Sequence, residues 1–190
     1  MKIFENDIKQ CLQTLQNGGL ILYPTDTIWG IGCDATNEEA VEKIFTLKKR
    51  AEEKTMIILV ASEKDILKYV TSPGPHIFDY LDKIIKPTTV IYENATGIAR
   101  NIISKDGSAG IRICRDEFCK QLIKRFRRPV VSTSANLSGS TAPALFSGIS
   151  EEIKKGVDYI VEYRREDITV AAPSSVIKWN KDGSVTVLRP

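Results

Sequence analysis

Residues 130–139 read Val-Val-Ser-Thr-Ser-Ala-Asn-Leu-Ser-Gly, and three hydroxyls and one amide fall within the five positions from Ser132 to Asn136. The apolar residues just before them have the character of a buried strand. A strand that ends in so many hydrogen-bonding groups presents them to a polar ligand. Two other segments carry matching chemistry. Leu22-Tyr23-Pro24-Thr25-Asp26-Thr27 lies near the start, and Lys48-Lys49-Arg50, with Lys54 nearby, follows the second helical stretch. Arginine offers a planar fork to phosphate oxygens and lysine a mobile point charge. Hydroxyls, amides and cations together suit a nucleotide or another phosphate compound.

Each of these groups also has a plainer reading. Lys48-Lys49-Arg50 could only complement a helix macrodipole at its C-terminus. Their place between a helix and a buried strand favours a ligand site, because open α/β sheets bind ligands at strand ends. Arg112, inside Ala109-Gly110-Ile111-Arg112-Ile113, either faces solvent or points into a cleft to take a carboxylate or phosphate; Arg189 poses the same choice. Pro24-Thr25-Asp26-Thr27 has the composition of a turn. Gly30-Ile31-Gly32 lacks the third glycine of a dinucleotide fingerprint, and no Gly-Lys-Ser/Thr follows a glycine loop, so Rossmann and Walker A readings fall away. Lys120, Lys124, Arg125, Arg127 and Arg128 read as a solvated helix end in preference to an RNA contact. His76 has no evident Ser or Cys partner for a triad. Nothing near Ser132 or Ser134 would activate a nucleophile, so both read as binders.

The elements that must position these residues alternate between helix and strand. Residues 7–17 read as a helix stopped by Gly18-Gly19, and residues 20–23 as a short buried strand ended by Pro24. Thr36-Asn37-Glu38-Glu39 reads as a capping box opening a second helix with Val41, Ile44, Phe45 and Leu47 on its apolar side. Residues 56–60 form an apolar run expected to be a strand buried on both faces. Ser62 is positioned to cap a short helix to residue 70. After Pro73-Gly74-Pro75 a further helix runs to about residue 85. Strands follow at 88–92, 109–113 and 129–132, with a helix at 116–126 between the last two. Residues 151–155 read as helical and 158–161 as a strand. Residues 175–179 and 184–188 flank a hairpin loop, Asn180-Lys181-Asp182-Gly183. The expectation is a single α/β (α+β) domain over 1–190 with a mixed sheet.

Composition sets outer bounds. Apolar residues are 42% and charged residues 27% of 190, which is ordinary for a globular chain. The net charge of +3 permits an anionic ligand without demanding nucleic acid. No apolar run nears the roughly 20 residues of a membrane span. The N-terminus lacks a signal-peptide core, so a cytoplasmic protein with no membrane partner is expected. Four cysteines without a CxxC pair and one histidine make a zinc site improbable. Cys33 lies beside the suspected site, yet it reads as a buried small apolar residue.

Three segments occur in order: Tyr23-Pro24-Thr25-Asp26-Thr27 continuing to Ala35, then Lys48-Lys49-Arg50, then Ser132 to Gly139. Ser108-Ala109-Gly110-Ile111-Arg112, Pro173-Ser174-Ser175-Val176 and Val187-Leu188-Arg189-Pro190 follow the same order. Together they resemble the YrdC/TsaC family, the L-threonylcarbamoyladenylate synthases in their short form, over essentially the whole chain. The resemblance implies a YrdC-like twisted, mostly open mixed sheet with flanking helices around a basic cavity. It implies a reaction joining L-threonine, bicarbonate and ATP, with Mg²⁺ arriving on ATP, into threonylcarbamoyl-AMP and pyrophosphate. The product would feed threonylcarbamoyladenosine modification of tRNA through downstream transfer proteins, with double-stranded RNA or tRNA as a candidate partner. By resemblance Lys48, Arg50 and Arg112 would be catalytic. Lys48, Lys49, Arg50, Ser108, Ser134, Asn136 and Arg189 would bind ATP, and Thr27, Arg112, Ser132 and Ser174 would bind threonine. No dedicated metal site is expected, Asp26 being a weak candidate for Mg²⁺.

The chain departs from the family pattern in places. Ile84-Ile85-Lys86-Pro87-Thr88-Thr89 lacks the usual glycine turn before a strand, Ala51 and Cys114 replace prolines, and Trp29 takes a tyrosine position. The alternatives are a YciO-like paralogue with another acceptor, a double-stranded RNA-binding or ribosome-maturation module, and carbamoyl transfer as in larger multidomain relatives.

Overall fold

Asn37, not Thr36, opens the second helix. Its side chain accepts a hydrogen bond from the Ala40 amide at 3.1 Å, while the Thr36 hydroxyl donates to Asp34 at 2.7 Å. The expected capping box does not form: Asn37 is the N-cap, alanine stands three residues on at position 40, and the buried Asp34 carboxylate takes the Thr36 hydroxyl. In the computed structural model residues 3–49, 56–74, 76–180 and 182–190 are described. Arg50, Ala51 and Lys54 lie outside them, as does Lys181 of the hairpin loop.

The first helix, α1 (Glu5–Gln16), buries Ile8, Cys11 and Leu15 on one face and ends before Gly18, whose φ of 69° suits glycine. The strand β1 (Ile21–Tyr23) follows, then β2 (Gly30–Gly32), then α2 (Glu38–Lys48). Next come β3 (Ile57–Val60), α3 (Glu63–Tyr69) and α4 (Ile77–Lys83). The chain continues with β4 (Thr88–Tyr92), β5 (Ala109–Ile113), α5 (Glu117–Phe126) and β6 (Val130–Ser134). It closes with α6 (Glu151–Lys155), β7 (Tyr159–Ile160), β8 (Ser175–Trp179) and β9 (Val185–Arg189).

The described strands join in one nine-stranded mixed sheet of order β7-β1-β2-β6-β3-β5-β4-β8-β9. Parallel pairing links β1 with β7, β3 with β5 and β4 with β8, and the other neighbours are antiparallel. This is the mixed α/β sheet the sequence predicts, and β4 forms from Thr88 although the glycine turn before it is absent. Helices α1 and α5 pack together, and α5 also lies on β3.

Sequence periodicity does not reveal β2, since Gly-Ile-Gly shows neither alternation nor β-propensity. The strand forms because its neighbours need a backbone without side chains there. A Cβ on Gly32 would stand 2.6 Å from the Tyr23 ring and 2.7 Å from the Val131 carbonyl oxygen. A Cβ on Gly30 would meet the Ser132 hydroxyl at 3.1 Å. The glycines rejected as a nucleotide fingerprint therefore let β1 and β6 approach β2 closely. Pairing of Gly30 with Ser134 and Ile31 with Thr133 also carries β6 two residues beyond its expected end at Ser132.

Replacement of Gly32 by alanine is expected to lower the unfolding free energy by about 1–3 kcal/mol, the usual cost of overpacking a tight interior. Urea denaturation followed by circular dichroism checks this, and an unchanged midpoint would contradict the close approach.

Candidate active site

Arg112 lies in the middle of β5, and its side chain is only 2% exposed. Strand alternation sends Ile111 and Ile113 to one face of the sheet and Arg112 to the other. A buried guanidinium needs charge and hydrogen-bond compensation. The loop after β1 supplies both. Arg112 Nη2 pairs with Asp26 Oδ1 at 3.0 Å and donates to Thr27 Oγ1 at 3.3 Å. That loop is itself stiffened by Thr25, whose hydroxyl accepts from the Thr27 amide at 3.0 Å and donates to the Ile28 carbonyl at 2.9 Å. Arg112 Nε is buried with no partner on the protein.

Above Arg112 opens a cleft of about 270 Å³. Thr27, Arg112, Ser132, Ser134, Ser174 and Arg189 line it, so six of the expected site residues share one wall system. They come from the β1–β2 loop, β5, β6, the approach to β8, and β9. Thr133, Trp29, Pro173 and Val176 are among the other residues of the wall. Among the described residues the lining holds two guanidinium groups and no carboxylate.

Arg189 is oriented by the segment entering β8. Its Nε donates to the Ser174 carbonyl at 2.9 Å, and its Nη2 to the Ser174 hydroxyl at 3.3 Å. Ser174 in turn shares a hydrogen bond of 2.9 Å with the Thr89 hydroxyl on β4. The outer strands β4, β8 and β9 are thus tied to the cleft through one serine.

The lysines are placed differently from a phosphate-facing cluster. Lys48, at the last position of α2, is 1% exposed. Its ammonium donates to the carbonyl oxygens of Ser134 and Asn136, the second at 2.5 Å. The Lys48 carbonyl accepts from the Ser138 amide at 2.8 Å. Lys48 therefore straps the hydroxyl-rich segment from beneath instead of lining the cleft. Lys49 has a left-handed φ of 50° and is directed to α6, where it pairs with Glu152 at 2.8 Å. Ser108 precedes β5 and donates its hydroxyl to Asp106 at 2.6 Å, away from the cleft lining. Arg50 lies outside the described residues.

Asn136 uses its amide nitrogen internally, donating to the carbonyls of Leu137 at 2.9 Å and Ser140 at 2.6 Å. Its Oδ1 is buried without a partner, and Asn136 is not among the residues that line the cleft. Sequence reading misses Asp26 as the counter-ion of Arg112, since nothing in the pattern links residues 26 and 112. It also misses Trp29 as a wall, its ring lying 4.8 Å from that of Phe146.

The cysteines take no part in the cleft. All four are fully buried. Burial pushes the Cys11 and Cys33 thiols well up from their ordinary range, and the nearby Asp7 and Asp34 carboxylates add to this. A protonated thiol is a poor nucleophile.

Comparison with known proteins bears on this arrangement. The profile of the Sua5/YciO/YrdC family, described as "Telomere recombination", matches residues 13–190. A protein of Methanocaldococcus jannaschii is 32% identical over 96% of this chain and 87% of its own. A threonylcarbamoyl-AMP synthase of Saccharophagus degradans is 35% identical over 71% of each chain. The solved structure of a double-substitution variant of P. abyssi Sua5 covers all of this chain with a TM-score of 0.88 at 25% identity. The present chain spans 57% of the length of that one.

Two outcomes check the geometry. Substituting Lys48→Met keeps the aliphatic stem but deprives two carbonyls of their charged donor. It is expected to cost about 1–3 kcal/mol of stability and to speed hydrogen exchange at residues 134–138. The four thiols should react with a disulfide reagent at pH 8 only as fast as the protein unfolds; a fast-reacting thiol in the folded protein would contradict their burial.

Proposed function

This chain belongs to the Sua5/YciO/YrdC family, and from that premise we propose that it joins L-threonine, bicarbonate and ATP into threonylcarbamoyl-AMP, releasing pyrophosphate. The observation that carries the reading is the buried, unpartnered Nε of Arg112 at the foot of a cleft rich in hydroxyls. Asp26 and Thr27 hold the Nη2 side of this guanidinium. Nε shares an edge with Nη2, which Asp26 and Thr27 already hold, so one oxygen of an amino acid's carboxylate could take the orphaned Nε donor. Thr27, Ser132 and Ser174 surround that position with hydroxyls that could pair with the amine and the threonine hydroxyl. Such pairing is what separates threonine from valine, because an unmet polar group in the site penalises the wrong substrate.

The nucleotide half of the site rests on Ser134, Asn136 and Arg189. Arg189 brings a positive charge to the cleft, and the Asn136 Oδ1 would accept from an amine or hydroxyl of the nucleotide. Lys48 contributes by holding the Ser134 and Asn136 backbone in place, which makes it a positioning residue in this geometry. Threonine's amine and bicarbonate condense to a carbamate with loss of water. A carbamate oxygen then attacks the α-phosphorus of ATP in line; the new P–O bond forms as the bond to the β-phosphate bridge breaks, and pyrophosphate leaves. No step needs a protein nucleophile. Alignment of the two substrates and neutralisation of developing charge supply the rate.

Mg²⁺ would come bound to the ATP phosphates, whose charge it would neutralise. Asp26 is not placed as its protein ligand: it is absent from the cleft lining, its Oδ1, which makes no hydrogen bond, lies 3.0 Å from Arg112 Nη2, and its Oδ2 accepts from the Arg115 amide at 3.3 Å. Among the described residues no cluster of acidic, histidine or cysteine side chains could hold a metal, and no helix is long and apolar enough to cross a membrane. The unstable adenylate would be passed to proteins that transfer the threonylcarbamoyl group to tRNA.

The test is a reaction with ATP, bicarbonate and L-threonine, following pyrophosphate and the adenylate by mass spectrometry. Threonine-dependent product is expected, with little from valine. Replacing Arg112 by lysine keeps the charge but loses the fork. Loss of one charge-assisted hydrogen bond, about 1.5–3 kcal/mol, implies a roughly ten- to hundredfold loss in kcat/KM for threonine. ATP binding without any adenylate would instead point to a YciO-like acceptor, and neither binding nor product to an RNA-binding module.

A further inference from the structure

Ile57, the first residue of β3, is a partly exposed hydrocarbon side chain in the cleft lining. It stands opposite Ser132 on β6 and opposite Gly110 on β5. Opposed residues of neighbouring strands share one face of the sheet. Gly110 and Arg112, two positions apart on β5, share that face as well. Ile57, Ser132 and Arg112 therefore rise from the same side of the sheet, and all three line the cleft.

Gly110 shows which way the Ile57 side chain leans. A Cβ on that glycine would stand 3.1 Å from Ile57 Cγ2. The Ile57 methyl thus reaches across the glycine towards the strand that bears Arg112. Ser132 bounds Ile57 on the opposite side. An apolar surface is set between a guanidinium-bearing strand and a hydroxyl.

Hydroxyl pairing separates threonine from valine, but it does not separate threonine from serine, which carries the same hydroxyl. These two differ by one methyl on the β-carbon, and an apolar contact is what reads a methyl. In the synthase reading, on which this inference rests, Arg112 takes the substrate's carboxylate and Ser132 is one of the hydroxyls around it. An amino acid held by both lies across Ile57. With its hydroxyl turned to Ser132, the methyl on the same carbon meets the hydrocarbon of Ile57. We propose that Ile57 is a specificity-determining residue, the apolar contact that selects threonine over serine. Val176, another apolar residue of the wall, is paired with Arg189 and lies on β8, with β4 between it and β5.

The test measures adenylate formation from ATP, bicarbonate and either L-threonine or L-serine, comparing kcat/KM as a ratio. One methyl in a hydrophobic pocket implies a threonine preference of roughly ten- to two-hundredfold in the wild type. Ile57→Ala is expected to lose most of this ratio, chiefly through the KM for threonine. Ile57→Val, which keeps both branches at Cβ, should retain most of it, and Val176→Ala should affect the two substrates alike. The proposal is overturned by a wild type that uses serine as well as threonine, by an Ile57→Ala variant that keeps the full ratio, or by loss of the ratio in Val176→Ala instead. Equal losses with both substrates in Ile57→Ala also overturn it and assign the side chain to the fold. Adenylate from neither substrate in the wild type would overturn the synthase reading itself, and this proposal with it.

Discussion

A guanidinium buried in the middle of a β-sheet is the constraint around which this protein is organised. Arg112 is surrounded by strands on both sides, and its charge would be untenable there without local compensation. Asp26 supplies the counter-charge from a different part of the chain, and Thr27 supplies an acceptor beside it. Both can do so only because the β1–β2 loop folds back over β5, stiffened by Thr25. The compensation is incomplete by one donor, Nε, which is buried without a partner. An unmet buried donor costs stability.

The second half of the site depends on how closely backbones can approach. Gly30 and Gly32 let β2 lie against the Tyr23 ring and the Ser132 side chain. This brings β6 to its full length and carries Ser134 to the cleft edge. Lys48 then fastens the segment beyond β6 to the end of α2 by way of two carbonyls. A lysine in such a place acts through the backbone it holds. Ser132 and Ser134, at the end of β6, line the cleft on a segment whose backbone is held in place.

Much of the fold was legible because its signals are local. The ranges of β4, β5, α6 and β8 follow directly from apolar alternation and capping residues, and α1 and α5 are met within two residues at each end. The Thr36 cap misleads because a tertiary acceptor, Asp34, competes for its hydroxyl. The strand β2 was hidden because glycine has no side chain to pattern, and its pairing is determined by neighbours remote in sequence. Within the site, hydroxyl type marks Ser132 and Ser134 as binders, while strand alternation alone leaves Arg112 either in solvent or in a cleft. No such signal exists for the Asp26–Arg112 pair.

The sequence by itself determined the chemistry on offer and the family: ordered hydroxyl, amide and cation motifs whose spacing matches the Sua5/YciO/YrdC pattern. Residue type and periodicity are written along the chain, so reading them needs no contacts. Tertiary structure alone decided which groups remain available to a ligand. It turned Lys48 onto backbone carbonyls and Lys49 onto Glu152, and left Arg112 Nε and Asn136 Oδ1 unpaired. Availability depends on which neighbour reaches each polar atom first, and those neighbours come from strands and loops far apart in the chain.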